Sequence, residues 1–201
     1  AFFLPEMIRF GTGEGKCVLR NTVRGHDIYI FADLFNWGVT FNMYGMEVPM
    51  SPDDHFSDLK RIIGAIMGKA RRVSVIMPML YEGRQHRRTL RESLDCAMML
   101  QELVKIGVSN IITFDAHDAR VQNAIPLSGF DDVRTTYQMI KALLNNVPDI
   151  TLDSSSLMVI SPDEGGIGRC MYLASILELE LGMFYKRRDY SVIKNGKNPI
   201  V

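Results

Sequence analysis

An α/β fold, with mainly parallel sheets flanked by helices, is what the sequence predicts, and three observations predict it. Short apolar runs rich in Val and Ile recur along the 201 residues. Stretches with helical apolar spacing separate them. Polar and charged residues gather just after each run. Strands buried on both faces read as short continuous apolar runs. Their alternation with amphipathic helices argues for crossover connections and a parallel sheet.

Four runs are expected as strands: Asp27–Phe31 (DIYIF), Arg72–Met77 (RVSVIM), Asn110–Phe114 (NIITF) and Leu157–Ile160 (LMVI). A last short strand is expected at Met183–Tyr185. The first helix starts after Ser51-Pro52, a capping residue followed by a proline suited to a first helical position. Phe56, Leu59, Ile63, Ile66 and Met67 fall on its apolar face. Leu94, Ala97, Leu100 and Val104 form the next stripe, with Gly107 as its stop. Further helices are expected near Arg134–Leu144 and over Gly168–Leu181, the latter stopped by Gly182. The polar stretch Asn145–Ser156 carries a proline and reads as a linker.

Composition narrows the function classes. Hydrophobic residues are 47% and charged residues 23%, as in folded globular chains. Lys+Arg and Asp+Glu are 23 each, so no global charge points to nucleic acid or to an acidic membrane surface. Any anion site must be local. Cys17, Cys96 and Cys170 are odd in number and widely spaced, which is not a disulfide framework, and a reducing, cytoplasmic setting is expected. There is no apolar run of about 18 residues. The chain begins at Ala1 without Met, so residues before it are expected.

Ligands of parallel sheets usually bind beyond the carboxyl ends of the strands. After RVSVIM comes Arg84-Gln85-His86-Arg87-Arg88. Guanidinium forks match phosphate oxygens, so this run could grip a polyphosphate or simply be a solvated loop. After NIITF comes Asp115-Ala116-His117, and after LMVI comes Ser161-Pro162-Asp163-Glu164-Gly165-Gly166. Mg²⁺ takes oxygen ligands and is commonly held by one or two carboxylates plus substrate phosphates, which suits Asp163. Imidazole is softer, so His117 taken alone reads first as a structural histidine and second as a ligand. The glycine pair before a helix could present free N–H groups to an anion, or be a tight turn. Lys186-Arg187-Arg188 follows the last expected strand and is another anion candidate, although alone such a run is more often a solvated strand end.

These pieces occur together and in order. Gly11-Thr12-Gly13-Glu14 followed by Val23-Arg24-Gly25-His26-Asp27-Ile28-Tyr29-Ile30 resembles the F-S-x-x-E … V-R-G-x-D-V-Y-I opening of ribose-phosphate pyrophosphokinases. Val75-Ile76-Met77-Pro78 through Arg87 is similar to their V-x-P-Y-x-x-x-A-R-Q-D-R segment, and Arg91-Glu92-Ser93 to the R-E-P after it. Ile112-Thr113-Phe114-Asp115-Ala116-His117 through Gln122 resembles I-T-V-D-L-H-x-x-Q-I-Q. Ile160-Ser161-Pro162-Asp163-Glu164-Gly165-Gly166 resembles V-S-P-D-x-G-G, and Lys186-Arg187-Arg188 the K-R-R of a mobile catalytic loop. Four departures stand out: Thr12-Gly13 for an Asn-Gln type pair, Met79-Leu80 for an aromatic pair, His86 for Asp, and Ser93 for Pro.

The resemblance implies tandem phosphoribosyltransferase-like domains, at 1–148 with the ATP-binding segment and at 149–201, the second incomplete. The ribose-phosphate loop would lie beyond Val201, and a strand and helix would precede Phe10. The implied reaction moves the β,γ-pyrophosphoryl group of ATP to the C1 hydroxyl of ribose 5-phosphate, with Mg²⁺ as cofactor. Phe10 and Glu14 would contact the adenine from a neighbouring subunit, and Arg84 and Gln85 would bind ATP. His117 and Asp163 would hold Mg²⁺, and Lys186 and Arg188 would stabilise the transferring group. The protein would be a homo-oligomer, dimer or hexamer, and the fragment alone inactive. Two rivals remain: a non-catalytic regulatory subunit of the same fold, and an ordinary phosphoribosyltransferase. The first has no need of the mobile-loop cations, and the second has no task for the Arg-Gln segment.

Overall fold

The chain opens on a small antiparallel pair, β1 (Glu6–Arg9) and β2 (Gly15–Val18), in which Met7 faces Cys17 and Arg9 faces Gly15. Next come β3 (Asp27–Phe31) and a second antiparallel pair, β4 (Thr40–Met43) and β5 (Met46–Pro49). The helix α1 (Pro52–Ile66) leads to β6 (Arg72–Met77), and α2 (Asp95–Lys105) to β7 (Asn110–Phe114). A 3₁₀ helix, Ala119–Ala124, precedes β8 (Gly129–Val133). The remaining elements are α3 (Thr136–Asn146), β9 (Met158–Ser161), a 3₁₀ turn at Glu164–Gly166, α4 (Ile167–Leu177) and β10 (Glu180–Met183). The structure, a computed structural model, describes residues 1–185 and 191. It divides into two compact units, Ala1–Thr135 and Thr136–Val201.

In the first unit β3, β6, β7 and β8 form a four-stranded parallel sheet in the order β3-β6-β7-β8. The expected strands at Asp27–Phe31, Arg72–Met77 and Asn110–Phe114 appear with those bounds. Val75, Met77, Leu100, Leu103 and Ile111 are fully buried and form the centre of the core with Leu59 and Leu34. Removing a side chain such as Leu from water is worth roughly 1.5–3 kcal/mol. The helix α1 contributes Phe56, Leu59, Ile63 and Ile66 to this core. Met67 does not join them. It caps the helix in a left-handed conformation at φ 56 and is 74% exposed. Ser51 caps the other end, its Oγ accepting from Asp54 N–H at 3.2 Å while Asp54 Oδ2 accepts from Ser51 N–H at 2.9 Å. Beyond α2, Gly107 turns at φ 103, a conformation costly to any residue with a Cβ.

The second unit holds β9 and β10 as a parallel pair, with α4 between them in sequence. The helix expected over Gly168–Leu181 ends earlier. Glu178 takes the left-handed cap at φ 54, and Gly182 lies inside β10 rather than stopping a helix. The last strand among the described residues therefore occupies Glu180–Met183, not Met183–Tyr185. Among the described residues no helix is long and apolar enough to cross a membrane.

Candidate functional site

β6 and β7 are adjacent parallel strands, so the segments leaving their carboxyl ends emerge side by side. The link is direct: Phe114 N–H donates to the Pro78 carbonyl at 3.3 Å. The loop after β6 is anchored from below. Leu80 and Tyr81 are buried, and the Tyr81 ring stacks on Phe56 of α1 with centroids 4.8 Å apart. Its hydroxyl donates to Asp53, and burial together with this bond pushes the phenol above its usual range. Two tight turns follow, Gly83 N–H to Leu80 O at 3.1 Å and Gln85 N–H to Glu82 O at 2.8 Å. The basic run thus leaves a fixed base and enters solvent.

An open cavity of about 670 Å³ forms there. Arg84, Gln85, His86 and Arg87 line it from the loop after β6, and His117 from the loop after β7. Thr89, Glu92 and Ser93, just before α2, complete the lining. Two guanidiniums outnumber the one carboxylate, and Glu92 already accepts from Thr89 N–H at 3.1 Å. A cavity with this balance suits an anion such as a phosphate chain.

His86 ties the two loops together. Its ring lies 5.1 Å from that of His117, nearly edge-on, and its Nε2 is 3.6 Å from Asp118 Oδ2. Hydrogen bonds from Arg120 hold the Asp118 carboxyl well below the usual carboxylate range. The Arg120 backbone N–H and Nε both donate to Asp118 Oδ1 at 2.9 Å. Asp115 is committed to structure. It sits at φ 46, and its Oδ2 accepts from the Thr135 N–H at 3.2 Å and from the Thr135 hydroxyl.

Phe10 and Glu14 meet at the turn between β1 and β2. Phe10 N–H donates to Glu14 O at 2.9 Å, and Gly13 N–H to Phe10 O at 2.8 Å. Both residues are exposed, and neither lines the Arg84 cavity. In the second unit Asp163 precedes the 3₁₀ turn, and its Oδ1 accepts from Gly166 N–H at 3.0 Å. Of the two readings of the glycine pair, the tight turn is the one seen, since the Gly166 N–H is taken by Asp163. Lys186 and Arg188 lie outside the described residues. Among the described residues no group of three or more His, Cys, Asp and Glu gathers to hold a metal ion. A Mg²⁺ ion here would need phosphate oxygens and water to complete its shell, as it commonly does.

Sequence reasoning missed the Asp118–His86 contact, although Asp118 follows His117 directly. It also missed Thr89, which carries no pattern of its own, and gave Glu92 only a place in the Arg91-Glu92-Ser93 motif and no part in a cavity.

A family model described as the N-terminal domain of ribose phosphate pyrophosphokinase matches residues 5–107. A ribose-phosphate pyrophosphokinase of Maricaulis maris is 26% identical over 194 residues, covering 96% of this chain and 56% of that protein. One from Nitrosomonas europaea is 29% identical over 186 residues, covering 90% of this chain and 51% of that protein. The chain thus spans about half the length of the curated relatives it matches. The crystal structure of phosphoribosylpyrophosphate synthetase from Mycobacterium smegmatis superposes with a TM-score of 0.75 at 20% identity. It covers 100% of this chain and 59% of that one, a likeness of fold.

Proposed function

Because the chain belongs to the ribose-phosphate pyrophosphokinase family, we propose that the protein containing it transfers the β,γ-pyrophosphoryl group of ATP to ribose 5-phosphate. One observation carries this reading: the Arg84-Gln85 loop and His117 share one cation-rich cavity above adjacent strand ends. Arg84 and Gln85 bind the ATP phosphates there. Phe10 and Glu14 contact the adenine, supplied to the cavity of a neighbouring subunit in a homo-oligomer. His117 in the first unit and Asp163 in the second are each a ligand of Mg²⁺. The ion supplies charge neutralisation at the phosphate oxygens. Lys186 and Arg188 stabilise the charge that develops as the group moves.

The C1 hydroxyl oxygen of ribose 5-phosphate forms a bond to the β-phosphorus. The bond from that phosphorus to the α,β-bridging oxygen breaks, AMP leaves, and the hydroxyl proton passes to solvent. Such transfer depends on positioning and on cations aimed at the equatorial oxygens, which is what an arginine-lined cavity provides. Domains at 1–148 and 149–201 would divide the work, the first holding the nucleotide.

The test is release of labelled AMP from ATP by the complete protein. Release that requires both ribose 5-phosphate and Mg²⁺ is the expected result. Nucleotide binding without turnover would favour a regulatory subunit of the same fold. Consumption of phosphoribosyl pyrophosphate instead of its formation would identify an ordinary phosphoribosyltransferase.

A further inference from the structure

The turn that carries Phe10 and Glu14 is held from behind by a partly buried charge knot. Arg9, the last residue of β1, sends Nη2 to Asp58 Oδ2 of α1 at 2.7 Å. The two side chains are only 12% and 13% exposed. Arg9 Nη1 donates to the Gly13 carbonyl at 3.4 Å, and its guanidinium lies 4.9 Å from the Phe41 ring centre in β4. Asp58 Oδ1 accepts from Arg61 Nη1 at 2.7 Å. A Cβ added at Gly15 would stand 2.8 Å from both Arg9 Nη1 and Arg61 Nη1, so β2 is packed directly on the guanidiniums. The β4–β5 pair closes the other side. Tyr44 N–H donates to the Gly11 carbonyl at 2.8 Å, and Met43 Sδ lies 2.9 Å from where a Gly13 Cβ would be.

A buried ion pair is a poor device for stability, because desolvation offsets most of its attraction. It is a good device for geometry, because the guanidinium presents its donors in a fixed planar fork. Here that fork fixes a helix, a turn carbonyl and an aromatic face relative to one another. The turn is thus held at Gly11, Gly13 and Gly15 while Phe10 remains 50% exposed. An exposed aromatic ring on a fixed turn has less freedom to lose when a planar ligand stacks on it.

We propose that Arg9 is the positioning residue for nucleobase selection, holding the Phe10–Glu14 turn through Asp58 and the β4–β5 pair. The inference rests on the nucleotide chemistry proposed above. Its test compares two ligands on the complete protein by calorimetry: ATP, which has a base, and inorganic tripolyphosphate, which has none. Arg9→Met should lower affinity for ATP about tenfold, roughly 1.4 kcal/mol, and leave that for tripolyphosphate within about twofold. Arg9→Lys, which keeps the charge but not the fork, should recover part of the preference for ATP. Phe41→Leu leaves the ion pair intact and should reduce the same preference by a smaller factor. It carries the test should Arg9→Met not fold.

An unchanged ATP-to-tripolyphosphate ratio in both variants would overturn the proposal. So would an equal loss for both ligands, since that is what a merely structural residue produces. A wild-type protein that binds neither ligand would instead overturn the nucleotide reading on which this one rests.

Discussion

Arg84 and Cys96 belong to the same stretch of chain, yet one faces the cavity and the other the core. The exposed guanidinium of Arg84 leaves a loop whose base is fixed, so the ordering that remains when a phosphate arrives is mainly that of the Arg84 side chain. Charge-assisted hydrogen bonds are worth roughly 1.5–3 kcal/mol, so Arg84→Ala should weaken ATP binding by about ten- to a hundredfold. Tripolyphosphate should be weakened as much, because the contact is to phosphate. A loss confined to ATP would move Arg84 to the base. Cys96 is 1% exposed, and burial, aided by Glu82, pushes its thiol up to about 11. The folded state therefore holds this proton more tightly than the unfolded chain, whose thiol titrates near about 8.5. Its contribution to stability is complete below that value and is lost as pH rises toward the folded one. Denaturant midpoints taken at about pH 8 and about pH 10 should fall less steeply with pH in Cys96→Ala than in the wild type. Equal slopes would assign the alkaline loss to other groups.

At the scale of elements, legibility in the sequence followed how much each element decides for itself. The strands β3, β6 and β7 are Val- and Ile-rich, and their bounds were readable. The helix α1 was equally readable, since Ser51, Pro52 and the apolar stripe agree. Ser51→Ala removes one half of the capping box and should cost about 1 kcal/mol, read as a lower denaturation midpoint with an unchanged slope. A midpoint that does not move would mean that Pro52 and Asp54 suffice. The missed elements take their structure from partners. β8 reads Gly-Phe-Asp-Asp-Val, a poor strand by propensity, and becomes one by pairing with β7. Its carboxylates find donors there, Asp131 from Asn110 Nδ2 at 2.7 Å and Asp132 from Ala116 N–H at 2.9 Å. The turn between β4 and β5 is Tyr44-Gly45, with φ 51 and φ 81. Two positive values match the turn type that usually announces itself as Asn-Gly, and a tyrosine there gives no signal. The cavity was half legible. The Arg run could be found from its place after a strand, but the His86–Asp118 contact depended on which strands were neighbours.

For the whole molecule, the strand order matters most. Because β6 and β7 lie side by side at the centre of the sheet, residues far apart in sequence reach one cavity. Phe10 and Glu14 line no part of it, and the role proposed for them is at the cavity of a neighbouring subunit. ATP affinity should therefore fall when the protein is diluted into monomers, and Glu14→Ala should weaken binding only in the assembled state. Titrating a nucleotide analogue across a dilution series, with mass followed by light scattering, checks both. Affinity unchanged in proven monomers would remove the shared site and leave Arg84 in place. Besides its part in holding the Phe10–Glu14 turn, the β4–β5 pair has a consequence for lineage. Among the described residues its strands pair only with each other, and Met50 N–H donates to Val39 O at 2.8 Å, so the two ends of the segment already touch. Deleting residues 40–49 would leave a gap that needs almost no splice, and the order of the parallel sheet would not change. A segment joined this way can be gained or lost in a single genetic event, and chain length in related proteins should vary here more readily than between β6 and β7.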